Sequence, residues 1–136
     1  MYILNENKVK GNINELNKAW EKPETFLFLP ERTGLSNEWI EQAIQHLPES
    51  VSKDHFILLT SGSTGRPKLV VGLRNRAESL AATLHESQNN EAVRQTIVIL
   101  PLTYCYAFVN QWLWSRVNGR QIVLTDGFGK PDHIYY

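Results

Sequence analysis

The chain has a single cysteine, a single methionine, and no excess of either charge: Lys plus Arg and Asp plus Glu number 14 each. One cysteine, Cys105, cannot close an internal disulfide, which leads us to expect a reducing compartment such as the cytoplasm. A zero formal net charge without a Lys/Arg cluster argues against a dedicated nucleic-acid binder. Long apolar runs are also missing. Phe56–Leu59 and Ile97–Leu100 are strand-sized, and the apolar run at Tyr2–Leu4 is too short for the core of a leader peptide. The expectation is a protein that does not engage membranes. His46, His55, His85 and His133, with Cys105, lack the spacings that bring metal ligands together, so no metal site is expected.

What is present is an alternation of apolar runs with two different periods. Residues 1–25 read as a polar lead, with a short helix around Asn14–Trp20. Phe26–Leu29 reads as a buried strand closed by Pro30. Ser36 is placed to cap a helix whose apolar positions Trp39, Ile40, Ala43, Ile44 and Leu47 recur at helical spacing, with Leu35 and Ile40 as a hydrophobic staple and Pro48 as its stop. Phe56–Thr60 and Lys68–Val71 read as two strands joined by a loop. Asn75 and Glu78 then have the spacing of a capping box at the start of a helix lined by Ala77, Leu80, Ala81 and Leu84.

Gln95–Leu100 is a further strand, broken by Pro101. A helix over Tyr106–Val117 follows, stopped by Asn118-Gly119, and Gln121–Leu124 is the last strand. Trp112 belongs to the inner stripe of that helix, while Trp114, two positions on, is expected to face outward toward solvent or a further domain. Residues 26–125 thus form an α/β subdomain, a sheet flanked by helices, and 126–136 a turn-rich tail.

The chemistry concentrates in one loop, Thr60-Ser61-Gly62-Ser63-Thr64-Gly65-Arg66-Pro67-Lys68. Each phosphate oxygen is a strong, charged acceptor, so a polyphosphate needs many converging donors. Glycines let backbone N–H groups approach, short hydroxyl side chains add donors without bulk, and lysine adds a compact positive charge. The flanks exclude related sites. A Walker loop needs Gly-Lys followed by Ser or Thr at a helix start, whereas here Arg66-Pro67 separates Gly65 from Lys68 and Leu69 follows. A nucleophile elbow needs glycine two positions before its serine, where Ser63 has Ser61. No dinucleotide fingerprint opens a helix. The plain alternative, a hairpin connection, suits a bare Ser-Gly-Ser better than this full string.

The loop resembles the phosphate-loop motif of the adenylate-forming enzymes, which include acyl-CoA synthetases and peptide-synthetase adenylation domains. Leu100-Pro101-Leu102-Thr103-Tyr104-Cys105-Tyr106-Ala107 is similar to that family's next motif, of the type Pro-Leu-aromatic-His-x-Tyr-Gly, and Val117–Leu124 is similar to the glycine and strand that follow it. The fold this implies is part of the family's large N-terminal domain.

The activity it implies begins with attack of a carboxylic acid on the α-phosphate of ATP, giving an acyl-adenylate and pyrophosphate. A thiol, coenzyme A or a carrier's pantetheine, then captures the acyl group. Thr60, Ser61, Gly62, Ser63, Thr64 and Gly65 would wrap the β- and γ-phosphates, Lys68 would add charge, and Tyr104 and Tyr106 would lie toward the acyl group. Magnesium is expected only in a complete enzyme.

The match has gaps. Leu69 stands where the family usually has glycine, Tyr104 replaces the histidine and Ala107 the glycine of the second motif. No Tyr-Gly-x-Thr-Glu segment, ribose-binding aspartate or C-terminal lysine domain appears in these residues. The resemblance therefore implies an early piece of a truncated or split ligase that grips ATP phosphates without completing the reaction alone, a second chain supplying the missing regions in the split case. The alternative is a non-catalytic α/β module or degenerate fragment acting through protein association.

Overall fold

A computed structural model describes residues 1–60, 65–88 and 94–125. The chain divides into two compact units, Met1–Leu73 and Arg74–Tyr136. The division falls inside the span that the sequence pattern groups as one subdomain.

The first unit is a four-stranded sheet in sequential order, β1 (Tyr2–Asn5), β2 (Phe26–Leu29), β3 (His55–Thr60) and β4 (Lys68–Leu73). The first three strands are parallel, and β4 returns antiparallel to β3. Helices α1 (Glu6–Gly11) and α2 (Asn14–Glu21) connect β1 to β2, and α3 (Asn37–Gln45) lies between β2 and β3. Residues 1–25 are thus part of the sheet unit. The strand Tyr2–Asn5 is invisible to periodicity because only Leu4 is buried in it, and its pairing with β2 supplies the structure that four residues alone could not hold.

Alternation along the strands assigns the two faces of the sheet. Phe26 and Phe56 meet Trp20 of α2, with ring centroids 6.5 and 5.4 Å apart. The intervening residues Leu27, Leu29 and Ile57 cluster instead with Ile40 of α3, joined by Leu35, Trp39 and Ile44. Because β2 and the centre of β3 are buried on both faces, they read as unbroken apolar runs rather than alternating ones. The predicted cap is present: the Ser36 hydroxyl accepts a hydrogen bond from Trp39 N at 3.1 Å, and α3 ends at Gln45, before Pro48.

One buried polar residue ties the strand starts together. Thr25, fully buried, donates its hydroxyl to Val51 O at 2.6 Å and accepts from His55 N at 3.1 Å. Its backbone N–H reaches Ser52 O, and its carbonyl receives Tyr2 N.

The second unit contains α4 (Arg74–Ser87), β5 (Gln95–Val98), a π-helical segment (Tyr106–Leu113) continuing as α5 (Trp114–Val117), and β6 (Gln121–Leu124). β5 and β6 form a parallel pair. Three sequence expectations are corrected here. The capping box at Asn75 is absent, because α4 begins at Arg74 directly after β4 and Asn75 already lies within it. β5 ends at Val98, two residues before the predicted limit. Trp114 is buried at 8% exposure, so it does not face outward; its ring stands edge-on to His85 of α4 at 5.6 Å. The wider π-helical turn preceding it changes which residues share a face, and the 100° stepping of an α-helix assumed for this stretch fails. Gly119, at φ 64°, ends the helix as expected. The tail 126–136 lies outside the described residues.

Replacing Thr25 by the isosteric Val leaves Val51 O and His55 N without their partner in a dry setting. We expect a loss of about 1–3 kcal/mol, read as a lowered denaturant midpoint with unchanged m-value. An unchanged midpoint would contradict the role given to this hydroxyl.

Candidate functional site

The predicted loop is the connection of the β3–β4 hairpin. Its central residues Ser61, Gly62, Ser63 and Thr64 lie outside the described residues; Thr60, Gly65, Arg66, Pro67 and Lys68 are described. The ladder between the strands runs from His55↔Leu73 to Thr60↔Lys68, so the last pair closes the loop. Residues directly opposite in an antiparallel pair present their side chains on the same face, with Cβ atoms roughly 5 Å apart. Thr60 and Lys68 therefore stand side by side at the loop's mouth.

Alternation decides where Lys68 points. Leu69, the next residue, packs against the cluster of Leu27, Leu29, Ile40 and Ile57, together with Leu59, its cross-strand partner. With Leu69 anchored on that face, Lys68 stands on the other, which also carries Phe56 and Leu58. Leucine at the position where the resembling family usually has glycine thus fixes the orientation of the lysine.

Lys68 and Arg66 are both exposed, and among the described residues neither has an ion-pair partner. Gly65 adopts φ 74°, a left-handed conformation that side-chain-bearing residues rarely take, and an added Cβ would meet nothing within 4 Å. Glycine is needed there for the backbone path and not for space. A strand, a closing pair, a left-handed glycine and two unneutralised cations make a setting suited to an anionic ligand.

The other predicted residues fall in the second unit. Tyr104 and Tyr106, at 55% and 59% exposure, flank Cys105 at the entry of the π-helical segment. Tyr104 N donates to Pro101 O at 3.0 Å, closing a turn, and Tyr104 O accepts from Phe108 N at 2.8 Å. Phe108 and Trp112, by contrast, are core residues whose tilted rings have centroids 5.0 Å apart. Sequence reasoning missed the part played by Phe56 and Gly72, which face each other across the hairpin; a lone glycine within a strand-like run was the available signal. Among the described residues no group of three or more His, Cys, Asp or Glu could hold a metal ion, and no helix is long and apolar enough to cross a membrane.

The family model for AMP-binding enzymes matches residues 2–135. The chain belongs to the AMP-binding, adenylate-forming enzyme family.

Among solved structures, o-succinylbenzoate coenzyme A synthetase from Bacillus subtilis, in complex with ATP and magnesium ion, aligns with 96% of this chain and 45% of its own, at 14% identity and a TM-score of 0.50. The same enzyme in complex with its acyl-adenylate intermediate aligns over 93% and 43%, at 14% identity and TM-score 0.49. An acyl-CoA synthetase (AMP-forming)/AMP-acid ligase II-like protein from Dyadobacter fermentans aligns over 69% and 25%, at 22% identity and TM-score 0.42. The chain therefore spans a quarter to just under half of the length of these structures. At 14% identity and a TM-score of 0.50, the likeness to the ATP complex concerns the mixed α/β fold alone. No curated protein matches.

A side chain at Gly65 has room but the wrong backbone angle. Gly65→Ala is expected to destabilise the first unit by about 1–2 kcal/mol, and Gly65→Asn by less, since asparagine tolerates the left-handed region. Equal stability of Ala, Asn and Gly variants in chemical denaturation would show that the loop does not need this conformation.

Proposed function

We propose that the hairpin loop binds the β- and γ-phosphates of ATP for carboxylate adenylation. Thr60 to Gly65 would supply backbone and hydroxyl donors, and Lys68 a positive charge. The observation that carries this reading is the exposed Lys68 set opposite Thr60 at the closing pair of the hairpin, with no acidic side chain paired to it among the described residues.

Donors held in place by a ladder need no reorganisation as charge grows on the departing pyrophosphate, which is how such a loop lowers a barrier. The attacking carboxylate oxygen forms its bond to the α-phosphorus as the bridging oxygen to the β-phosphate leaves with the electron pair, so the charge accumulates where the loop stands. Tyr104 and Tyr106 are assigned to the acyl side, their exposed rings offering apolar surface with a polar edge. Capture of the acyl group by coenzyme A or a pantetheine thiol, and a magnesium ion on the phosphates, belong to the complete reaction. The 136 residues, which span less than half of the solved relative's length, are expected to bind without completing it.

The test is titration of the purified chain with ATP and with inorganic tripolyphosphate by calorimetry. Lys68→Ala should weaken both by at least about tenfold, the equivalent of one charge-assisted hydrogen bond. Equal affinity in the variant, or no binding to the unmodified chain, would overturn the assignment. Pyrophosphate exchange dependent on a carboxylic acid should be absent from the 136-residue chain, and measurable exchange would contradict the inactivity proposed for it.

A further inference from the structure

The β3–β4 hairpin contains a close approach that the phosphate reading does not require. A Cβ built on Gly72 would lie 2.5 Å from Cε1 of Phe56 and 2.9 Å from Cε2, nearer than real Cβ atoms come to any heavy atom. The Phe56 ring therefore occupies the volume that a side chain on its cross-strand partner would fill. The ring is braced on its other side by Trp20, 5.4 Å away, and Phe56 is only 4% exposed, so it has little freedom to swing aside.

The sequence of β4 is Lys-Leu-Val-Val-Gly-Leu. Gly72 is the one residue in it without a Cβ, hence the one position that leaves room for the far end of this ring. Apart from Leu69 on the opposite face, β4 adds little to specify the register, because it is only partly buried, and Val70 and Val71, on opposite faces, are 38% and 40% exposed.

From this we infer that Phe56 and Gly72, with Trp20 behind them, are positioning residues that lock the register of the candidate phosphate loop. The lock sits four residues from the loop's closing pair and on the same face. With Phe56 over Gly72, Lys68 is opposite Thr60. A slip of one residue in either direction would set Pro67 or Leu69 there instead and would turn Lys68 to the other face. A slip also places a valine or leucine Cβ against the ring. The assignment of these residues to phosphate positioning rests on the function proposed above, whereas the register lock itself does not.

Two measurements on the full chain separate these parts: backbone NMR contacts between Thr60 and Lys68, and calorimetric affinity for inorganic tripolyphosphate. Gly72→Ala should lose the Thr60–Lys68 contacts and weaken tripolyphosphate binding by about tenfold or more. Phe56→Leu, which removes the ring without adding bulk, should give more than one set of amide signals for β4 and a similar loss of affinity. It also carries the test should Gly72→Ala fail to fold.

Ser36→Ala serves as the control: it removes the cap of α3, on the face of the sheet opposite the ring, and should keep both the contacts and the affinity. Intact contacts in Gly72→Ala and in Phe56→Leu would overturn the lock. Lost contacts with unchanged affinity would overturn the positioning role. Absence of binding by the unmodified chain would sink the phosphate reading and the positioning role together, leaving the contacts to decide the lock.

Discussion

The antiparallel pairing of β3 with β4 is the constraint on which the rest of the candidate site depends. β3 is held on its other side by parallel β2, buried on both faces at its centre, and tied at its start by the Thr25 hydroxyl. Whatever β4 does, it does against this fixed strand. The ladder converts the stability of a two-faced core into the placement of one lysine, through six successive residue pairs ending at Thr60↔Lys68. A lysine carried on a mobile segment would have to order itself around each phosphate, and the entropy of that ordering would come out of the binding free energy.

The two residues after the loop illustrate how one strand serves two purposes. Leu69 is spent on the core cluster beneath the sheet, and by alternation this leaves Lys68 for the other face. The departure from the glycine usual in the family is thus compatible with a phosphate-directed lysine, since the anchoring acts on the side away from it. Membership of the AMP-binding family and the mixed α/β fold are consistent with this use of the hairpin, in a chain that spans less than half of the solved relatives it aligns with.

Much of this was legible in the residues. The strand limits at Phe26–Leu29 and Gln121–Leu124, the Ser36 cap and the strand–loop–strand arrangement follow from local patterns whose physical causes act within a few residues. What escaped has non-local causes. β1 exists because β2 accepts it; four residues of which only Leu4 is buried have no periodic signal of their own. Asn75 looked like a cap only on the assumption of a break between strand and helix, and the chain runs straight from β4 into α4. Trp114 was misassigned because the π-helical turn before it alters the angular step between side chains. At the site, the hydroxyl-glycine-lysine string marked a candidate loop, but the pairing of Phe56 with Gly72 required the register, which only the folded sheet supplies.

The central claim is that the hairpin loop is a polyphosphate grip, and amide chemical-shift mapping addresses it most directly. On titration of the labelled chain with ATP, the account predicts saturable shifts at Thr60, Gly65 and Lys68, with the amides of β1 and β2 unmoved. It also predicts the same pattern with tripolyphosphate and none with adenosine. Shifts absent from the loop, or driven equally by adenosine, would contradict it.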